Sequence, residues 1–266
     1  MLTLAITAFD EMEERRGCGN RLLQCISYAQ KHPSIREIVI VDDGSERYSE
    51  LLALLSKEPK KLWIGSNVQN LGVFVNKIEA VARSTSAWVI TCDSDNCMDA
   101  GYIDKVLSLW RTEKSWYCPS FAKPKFDYRE LIGSYNGKTL KRIIRHPSFP
   151  CFFNTGNQVV HQKTFMKVFG KYRGQRADLL LPNWLGIQEK KRKSHYWRMV
   201  FDACDSFLLN YLWVQAGGSI GIVEGLEYLH HYATGDDGNY ARSPKEKAEL
   251  GEILLTQLRH LIEALQ

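Results

Sequence analysis

The first 120 residues of the chain alternate between short apolar runs and longer segments whose apolar residues recur at helical spacing, and this alternation restricts the possible folds. Strand-like runs occupy 2–7, 37–41, 61–65, 87–92 and 116–119. Helical spacing is found at 20–31, 48–56, 72–83 and 99–111. Strands that alternate with helices form βαβ units, which build a parallel sheet with helices on its faces. The pattern predicts an α/β three-layer sandwich with a mainly parallel central sheet.

The second half of the sequence is less regular, and it contains no internal repeat and no low-complexity linker. Its predicted elements are strands at 152–160 and 219–223 and helices at 162–169, 203–216 and 244–265. The last helix opens on Pro244, which suits the first turn of a helix. We therefore predict one compact domain with an elaborated second half.

Composition narrows the classes of protein. The 266 residues are 44% hydrophobic and 24% charged, as in an ordinary globular protein. The net charge of +5 suits anionic ligands such as nucleotide phosphates. It is lower than the strongly basic charge that would by itself indicate nucleic-acid binding. Seven cysteines without a Cys-x-x-Cys pair argue against a disulfide framework or a structural zinc site, and predict reduced thiols and a cytoplasmic location. The apolar start is too short for a signal peptide. The sequence has no apolar run of about 18 residues, so no transmembrane segment is predicted.

The sequence Asp93-Ser94-Asp95 directly follows an apolar strand. In parallel sheets, ligands bind beyond the carboxyl ends of the strands. Two carboxylates on such a turn can reach one hard cation, and Mg²⁺ or Mn²⁺ would keep positions open for phosphate oxygens. The motif by itself is equally consistent with an ordinary acidic turn.

A second acidic pair, Asp42-Asp43, ends another predicted strand and is followed by Gly44-Ser45. A carboxylate at this position can accept an N–H from the edge of a nucleobase. The alternative is structural, because Ser45 could simply cap the next helix.

The sequence Asn70-Leu71-Gly72 precedes the helix that carries Asn76 and Lys77. A glycine at a helix start suits a phosphate site, and a lysine can meet a diphosphate as a point charge. The alternative is a solvated helix face.

In their order and strand-end positions, these three clusters resemble the nucleotide-binding half of family 2 glycosyltransferases with the GT-A fold. The sequence from Val41 to Ser45 is identical to the Val-Asp-Asp-Gly-Ser of that family, and the Asn-x-Gly and Asp-x-Asp follow in the family's order. The resemblance is good over about residues 2–110 and thin beyond. One departure is the pair Asn76-Lys77, where the family usually has Arg-Asn.

The resemblance implies roles for the residues of the donor site. Asp43 would bind a uracil-like base beside Thr7 and Phe9, while Asp42 and Lys77 would support the ribose and the diphosphate. Asp95 would hold the metal ion, with Asp93 near the ribose or the metal. The remaining predicted donor contacts are Asn70, Gly72 and Ser94.

A catalytic base is expected at the start of a helix in the second half, because the family carries an acidic residue there. An inverting transfer needs a carboxylate to accept the proton of the acceptor hydroxyl. Asp205 is the best match, although Cys204 stands where the family has Glu. Asp202 is the rival and is otherwise a candidate for acceptor binding, and either aspartate could instead be a helix N-cap.

Four features of the second half complete the predicted site. By the resemblance, His231 would be a further metal ligand and Asn157 would contact the acceptor. Arg242 lies in the loop 234–243, which resembles a lid that orders on donor binding but is also consistent with a plain solvent loop. The basic run Lys190–Lys193 is either a solvated loop or a patch for an anionic acceptor, a membrane surface or a nucleic acid.

We therefore expect a metal-dependent glycosyltransferase that moves a sugar, with inversion, from a nucleotide-diphosphate donor such as a UDP-sugar to a hydroxyl of a glycan or lipid-linked acceptor. Residues 1–120 would bind the donor, and residues 121–266 would bind the acceptor and supply the base. Three alternatives stay open: glycosylation of a hydroxymethylated nucleic-acid base, a nucleotidyltransferase, and a non-catalytic nucleotide-sugar binding module.

Overall fold

The computed structural model describes residues 1–13, 19–57, 61–98, 100–124, 126–143, 146, 156–177, 180, 205–230, 252–253, 256 and 260. The strands are β1 (Leu2–Ala8), β2 (Ile35–Asp42), β3 (Leu62–Ser66), β4 (Trp88–Asp93), β5 (Asn96–Met98), β6 (Ser115–Lys123), β7 (Phe126–Asp127), β8 (Gly133–Tyr135), β9 (Val159–His161) and β10 (Ser219–His230). The helices are α1 (Asn20–Lys31), α2 (Tyr48–Leu55), α3 (Val73–Ala82), α4 (Ala100–Ser108), α5 (Gln162–Phe169) and α6 (Asp205–Gln215). Short 3₁₀ turns occupy Arg129–Leu131, Leu140–Arg142 and Gly170–Tyr172.

All of the described strands belong to one sheet, in the order β3-β2-β1-β4-β9-β6-β10-β5, with β7 on β6 and β8 on β10. Strands β3, β2, β1 and β4 are parallel neighbours, and β10 is parallel to β6. Strand β9 is antiparallel to both β4 and β6. The predicted mainly parallel central sheet is confirmed.

Side chains alternate between the two faces of the sheet, and each face is covered by helices. On β1, Leu4 and Ile6 pack with buried residues of α1, α2 and α4. The intervening Ala5 packs on the opposite face, in the cluster that holds α3, α5 and α6. A parallel strand buried on both faces reads as a continuous apolar run, and all seven residues of β1 are buried. The predicted three-layer sandwich is therefore confirmed.

The second half of the chain differs most from the sequence-based expectation. Of the predicted strand at 152–160, residues 156–160 are described, and among them the strand begins at Val159 and continues to His161. Asn157, just before it, has a positive φ of 54°. The predicted strand at 219–223 continues to His230, because its far end pairs with the unpredicted strand β5. A three-residue strand has too little sequence pattern to be recognised without its partner. In the predicted terminal helix, the described residues Glu252, Ile253, Thr256 and His260 are helical.

Trp213 of α6 stacks on Trp116 of β6, with ring centroids 4.8 Å apart and planes inclined by 13°. Gly218 lies against Trp213, and a Cβ added there would come within 2.1 Å of the Trp213 ring. Trp213 is also held by a 2.9 Å hydrogen bond from its Nε1 to the carbonyl of Ser219. The ring has little freedom to move aside.

We expect Gly218→Ala to lower the free energy of unfolding by about 1–3 kcal/mol, because overpacking displaces the stacked rings. Urea unfolding would measure the change as a lower midpoint. Gly221→Ala is the matched control nearby in the chain, since a Cβ there meets its nearest atom at an ordinary 3.5 Å. Equal midpoints for the two variants would contradict the role assigned to Gly218.

Candidate active site

The carboxyl ends of β1, β2 and β4 meet at one edge of the sheet. Thr7 of β1 is in register with Val41 of β2 on one side and with Asp93 of β4 on the other. Backbone hydrogen bonds continue past the strand ends, from the Asp43 N–H to the Ala8 carbonyl at 2.8 Å and from the Ser94 N–H to the Thr7 carbonyl at 3.0 Å. The acidic residues that were predicted from sequence therefore lie side by side.

Asp43 holds the Asn70-Leu71-Gly72 loop in place. Its carboxylate accepts hydrogen bonds from the backbone N–H groups of Leu71 and Gly72, each at 2.9 Å, and from Nδ2 of Asn67 at 2.8 Å. The side chain is only 2% exposed, and this burial raises the pKa of the Asp43 carboxyl above its usual value even though the three donors oppose the shift. Gly72 has a φ of 88°, which glycine adopts without strain.

Asp42 is fully buried and bonded to neighbouring serines. Its carboxylate accepts hydrogen bonds from the backbone N–H and the hydroxyl of Ser45 and from the hydroxyl of Ser66. Ser45 also accepts a bond from the N–H of Asp10 at 2.8 Å. The residue before α2 is Arg47, without a side-chain cap. The alternative that Ser45 caps this helix is therefore wrong, and Asp42 and Ser45 instead shape the end of β2.

The side chains of the Asp93–Asp95 turn are alternately half-buried and buried. Asp93 and Asp95 are half-buried, whereas Ser94 between them is buried and donates its hydroxyl to the carboxylate of Glu11. The two aspartates are thus the more exposed groups of the turn. Ser94 was predicted to contact the donor, but its side chain anchors the turn to the interior.

Thr7 and Asn157 both form hydrogen bonds with Asp93. Its carboxylate accepts a 3.1 Å hydrogen bond from the hydroxyl of Thr7, and its backbone N–H donates to Oδ1 of Asn157 at 3.2 Å. Asn157 is 1% exposed, and its carbonyl accepts a bond from the hydroxyl of Tyr102 at 2.9 Å. Asn157 was predicted to contact the acceptor, and in the structure it supports the backbone of the acidic turn.

Lys77 joins Asp93 to Asp205. Its ammonium lies 2.9 Å from Oδ1 of Asp93 and 2.6 Å from Oδ2 of Asp205. Burial disfavours the charge of Lys77, but the two carboxylates outweigh this effect and raise its pKa. Asp205 is the first residue of α6 and 8% exposed, and burial raises the pKa of its carboxyl although Lys77 acts in the opposite direction.

Within the described residues, a divalent cation would be held by Asp93 and Asp95 together with a ligand from outside those residues. Within the described part of the chain, no group of three His, Cys, Asp or Glu side chains could hold a metal ion. Asp93 and Asp95 supply hard carboxylate oxygens, and such a pair commonly binds Mg²⁺ in combination with phosphate oxygens. The pairing of β10 with β5 places His230 opposite Asn96, one residue beyond Asp95.

The remaining predicted site residues fall into two groups. The first group is described by the structure and comprises Phe9 and Asn70. Phe9 is half-buried just after β1. Asn70 is exposed, and its Oδ1 accepts a 3.1 Å hydrogen bond from the Gly72 N–H. The other group lies outside the described residues and comprises Asp202, His231, Arg242 and Lys190–Lys193.

Two supporting residues, Asn67 and Glu11, escaped the sequence analysis, and Asn76 was named there without a role. Asn67 bonds both Asp43 and Oδ1 of Asn76, and Nδ2 of Asn76 donates to the Val41 carbonyl at 3.0 Å. Glu11, which anchors Ser94, is 1% exposed. Buried polar side chains of this kind carry no local pattern. Their roles depend on partners that are distant in the sequence.

Acidic residues at the carboxyl edge of a mainly parallel sheet define the class of α/β proteins that bind a ligand at that edge. The family model for glycosyl transferase family 2 matches residues 3–195. The chain therefore belongs to glycosyl transferase family 2, and the predicted family, GT-A fold and glycosyltransferase activity are confirmed. Among curated proteins, no sequence matches the chain.

Solved structures of S. aureus TarS are similar in fold. TarS 1–349 in complex with UDP-GlcNAc superposes with a TM-score of 0.62 and 11% sequence identity, over 98% of this chain and 70% of that chain. TarS 1–349 in a second crystal structure gives a TM-score of 0.56 and 12% identity, over 95% and 69%. A further TarS structure gives 0.53 and 12%, over 95% of this chain and 42% of that chain. No described helix is both long and apolar enough to cross a membrane.

Proposed function

We propose that this glycosyltransferase moves a sugar from a UDP-type nucleotide sugar to a hydroxyl of a glycan or lipid-linked acceptor, with inversion at the anomeric carbon. The observation that carries the proposal is the arrangement of Asp43, Asp93 and Asp205 at one edge of the sheet. This edge is where an α/β sheet binds ligands. A fold neighbour, S. aureus TarS, was crystallised with UDP-GlcNAc, which supports the choice of a uridine donor.

The donor is proposed to lie across the ends of β1, β2 and β4. The nucleobase would lie near Thr7 and Phe9 beside the loop that Asp43 holds, and the diphosphate would lie toward the Asp93–Asp95 turn. Asp95 is the proposed main metal ligand and Asp93 the secondary one, as the resemblance of the Asp-x-Asp to that of the family implies. A bound Mn²⁺ or Mg²⁺ would neutralise charge on the departing diphosphate.

Asp205 is the proposed base. Its carboxylate would accept the proton of the acceptor hydroxyl, whose oxygen attacks the anomeric carbon as the bond to the diphosphate breaks. The raised pKa of Asp205 would make it a better proton acceptor than an exposed aspartate.

A panel of nucleotide sugars tests the donor. The protein would be incubated with each sugar and Mn²⁺, and the release of free nucleoside diphosphate and the shift in melting temperature would be measured. UDP-sugars are expected to raise the melting temperature, since a ligand that binds only the folded state stabilises it. If no nucleotide sugar or nucleoside diphosphate shifts the melting temperature in the presence of metal, the proposed donor site is wrong.

Asp95→Ala is expected to weaken metal-dependent binding of the donor by about tenfold or more, which corresponds to at least about 1.4 kcal/mol of binding free energy. The reason is the loss of the carboxylate proposed to hold the cation. Calorimetric titration with the donor, with and without Mn²⁺, measures the change. Asp104→Ala removes an exposed carboxylate on α4 and is the control. Unchanged metal dependence in Asp95→Ala would remove this residue from the metal site.

A further inference from the structure

The Lys77 side chain is buried and paired with two carboxylates. It is 2% exposed, and its ammonium contacts both the Asp93 and the Asp205 carboxylate. A lysine ammonium has three donors, and two of them are directed at these carboxylates. Because the side chain is 2% exposed, Lys77 could reach a ligand beyond the sheet edge only by moving away from this site, which would weaken its ion pairs with the carboxylates. The ammonium is therefore poorly placed to meet a diphosphate.

The three charged groups come from different parts of the chain. Lys77 lies in the middle of α3, Asp93 ends β4, and Asp205 opens α6. The contact between Lys77 and Asp205 spans 128 positions of the sequence. It thus joins the turn proposed to hold the donor and the metal to the proposed base from the second half of the chain.

We propose that Lys77 is a positioning residue that fixes the Asp205 carboxylate relative to the Asp93–Asp95 turn, and that it is not a ligand of the donor diphosphate. This inference rests on the proposed function, because Asp205 must act as the base. Asp205 is held at 2.6 Å by a side chain that is itself buried. A misplacement of about 1 Å in a catalytic group can cost about 10²-fold in rate, so a fixed ammonium at this point has a direct effect on kcat.

The test compares Lys77→Met and Lys77→Arg with Lys163→Met, a control at an exposed lysine on α5. We expect Lys77→Met to lower kcat for sugar transfer by about 10²-fold, while the Kd values for UDP and the donor stay within about threefold of wild type. Lys77→Arg keeps a cation between the carboxylates and is expected to recover at least about tenfold of the lost kcat. The control should leave kcat and Kd unchanged.

A double variant separates positioning from loss of folding. In Asp205→Asn, the group that Lys77 positions is already disabled, so adding Lys77→Met should cause little further loss of kcat, because residues that act as a unit are not additive. The neutral amide that replaces the Asp205 carboxylate also removes one unpaired buried charge, which keeps the double variant testable if Lys77→Met alone unfolds. Circular dichroism and the melting temperature would identify the folded variants.

Two results would overturn the proposal while leaving the function intact. One is a loss of UDP and donor affinity of about tenfold or more in Lys77→Met with kcat at saturation unchanged, which is the behaviour of a diphosphate ligand. The other is an additive loss in the double variant. If wild-type protein transfers sugar from no nucleotide sugar, the proposed function fails first, and the assignment of Lys77 falls with it.

Discussion

Asp205→Asn is expected to lower kcat for sugar transfer by about 10²–10⁴-fold, the range typical of losing a general base. The amide keeps the size of the carboxylate but cannot accept the proton of the acceptor hydroxyl. Binding of donor and metal should stay within about threefold of wild type, because Asp93 and Asp95 are unchanged and Lys77 keeps its 2.9 Å contact with Asp93. Initial rates at saturating substrate, together with calorimetric titration of the donor, measure the two effects separately.

The control for this variant is Asp104→Asn, which makes the same chemical change at an exposed carboxylate on α4. It should retain the wild-type kcat. Retained transfer in Asp205→Asn would remove Asp205 as the base and direct attention to Asp202, the rival aspartate of the sequence analysis. A parallel loss of donor binding would instead indicate that Asp205 helps to shape the donor site.

Asp43→Ala is expected to reduce the free energy of unfolding by about 2–5 kcal/mol, because the buried Leu71 N–H is left without an acceptor and two further hydrogen bonds to the carboxylate are lost. Nδ2 of Asn67 keeps its bond to Oδ1 of Asn76, and the Gly72 N–H keeps its bond to Oδ1 of Asn70, so both of these donors retain one acceptor. Chemical unfolding in urea would show a lower midpoint with little change in slope. Asp43→Asn keeps a carbonyl acceptor and should lose less.

Asp127→Ala is the control for Asp43→Ala. Asp127 is exposed and is bound to the neighbouring Arg129, and removal of such a surface pair typically changes stability by no more than about 1 kcal/mol. A loss below about 1 kcal/mol in Asp43→Ala would show that the loop Asn70-Leu71-Gly72 is held by other contacts.

The apolar run of β1, the helical spacing in α1 and α3 and the positions of the acidic pairs all follow from local sequence. Periodicity is a local property, since a strand alternates every two residues and a helix repeats about every 3.6. The carboxyl ends of neighbouring parallel strands also share one edge of the sheet. Once the elements are recognised, Asp43 and Asp93 are expected at the same edge, and the structure places them there.

The orientation of each polar side chain at that edge was decided only by the tertiary structure. Ser94 and Asn157 were predicted to contact ligands, yet both are buried and bonded to protein partners. Lys77 was predicted to meet the diphosphate, and its nearest partner is Asp205, 128 positions away. Strand β5 was missed because its pairing partner lies near His230.

The sequence by itself therefore determined the family, the three-layer fold and the edge of the sheet that carries the acidic residues. The tertiary structure decided which of those residues remain half-exposed, such as Asp95, and which are held by other side chains, such as Asp43 and Asp205. The physical reason is that burial and charge pairing depend on contacts between residues far apart in the chain. A buried polar group needs a partner wherever the fold brings one close, and no local pattern specifies that partner.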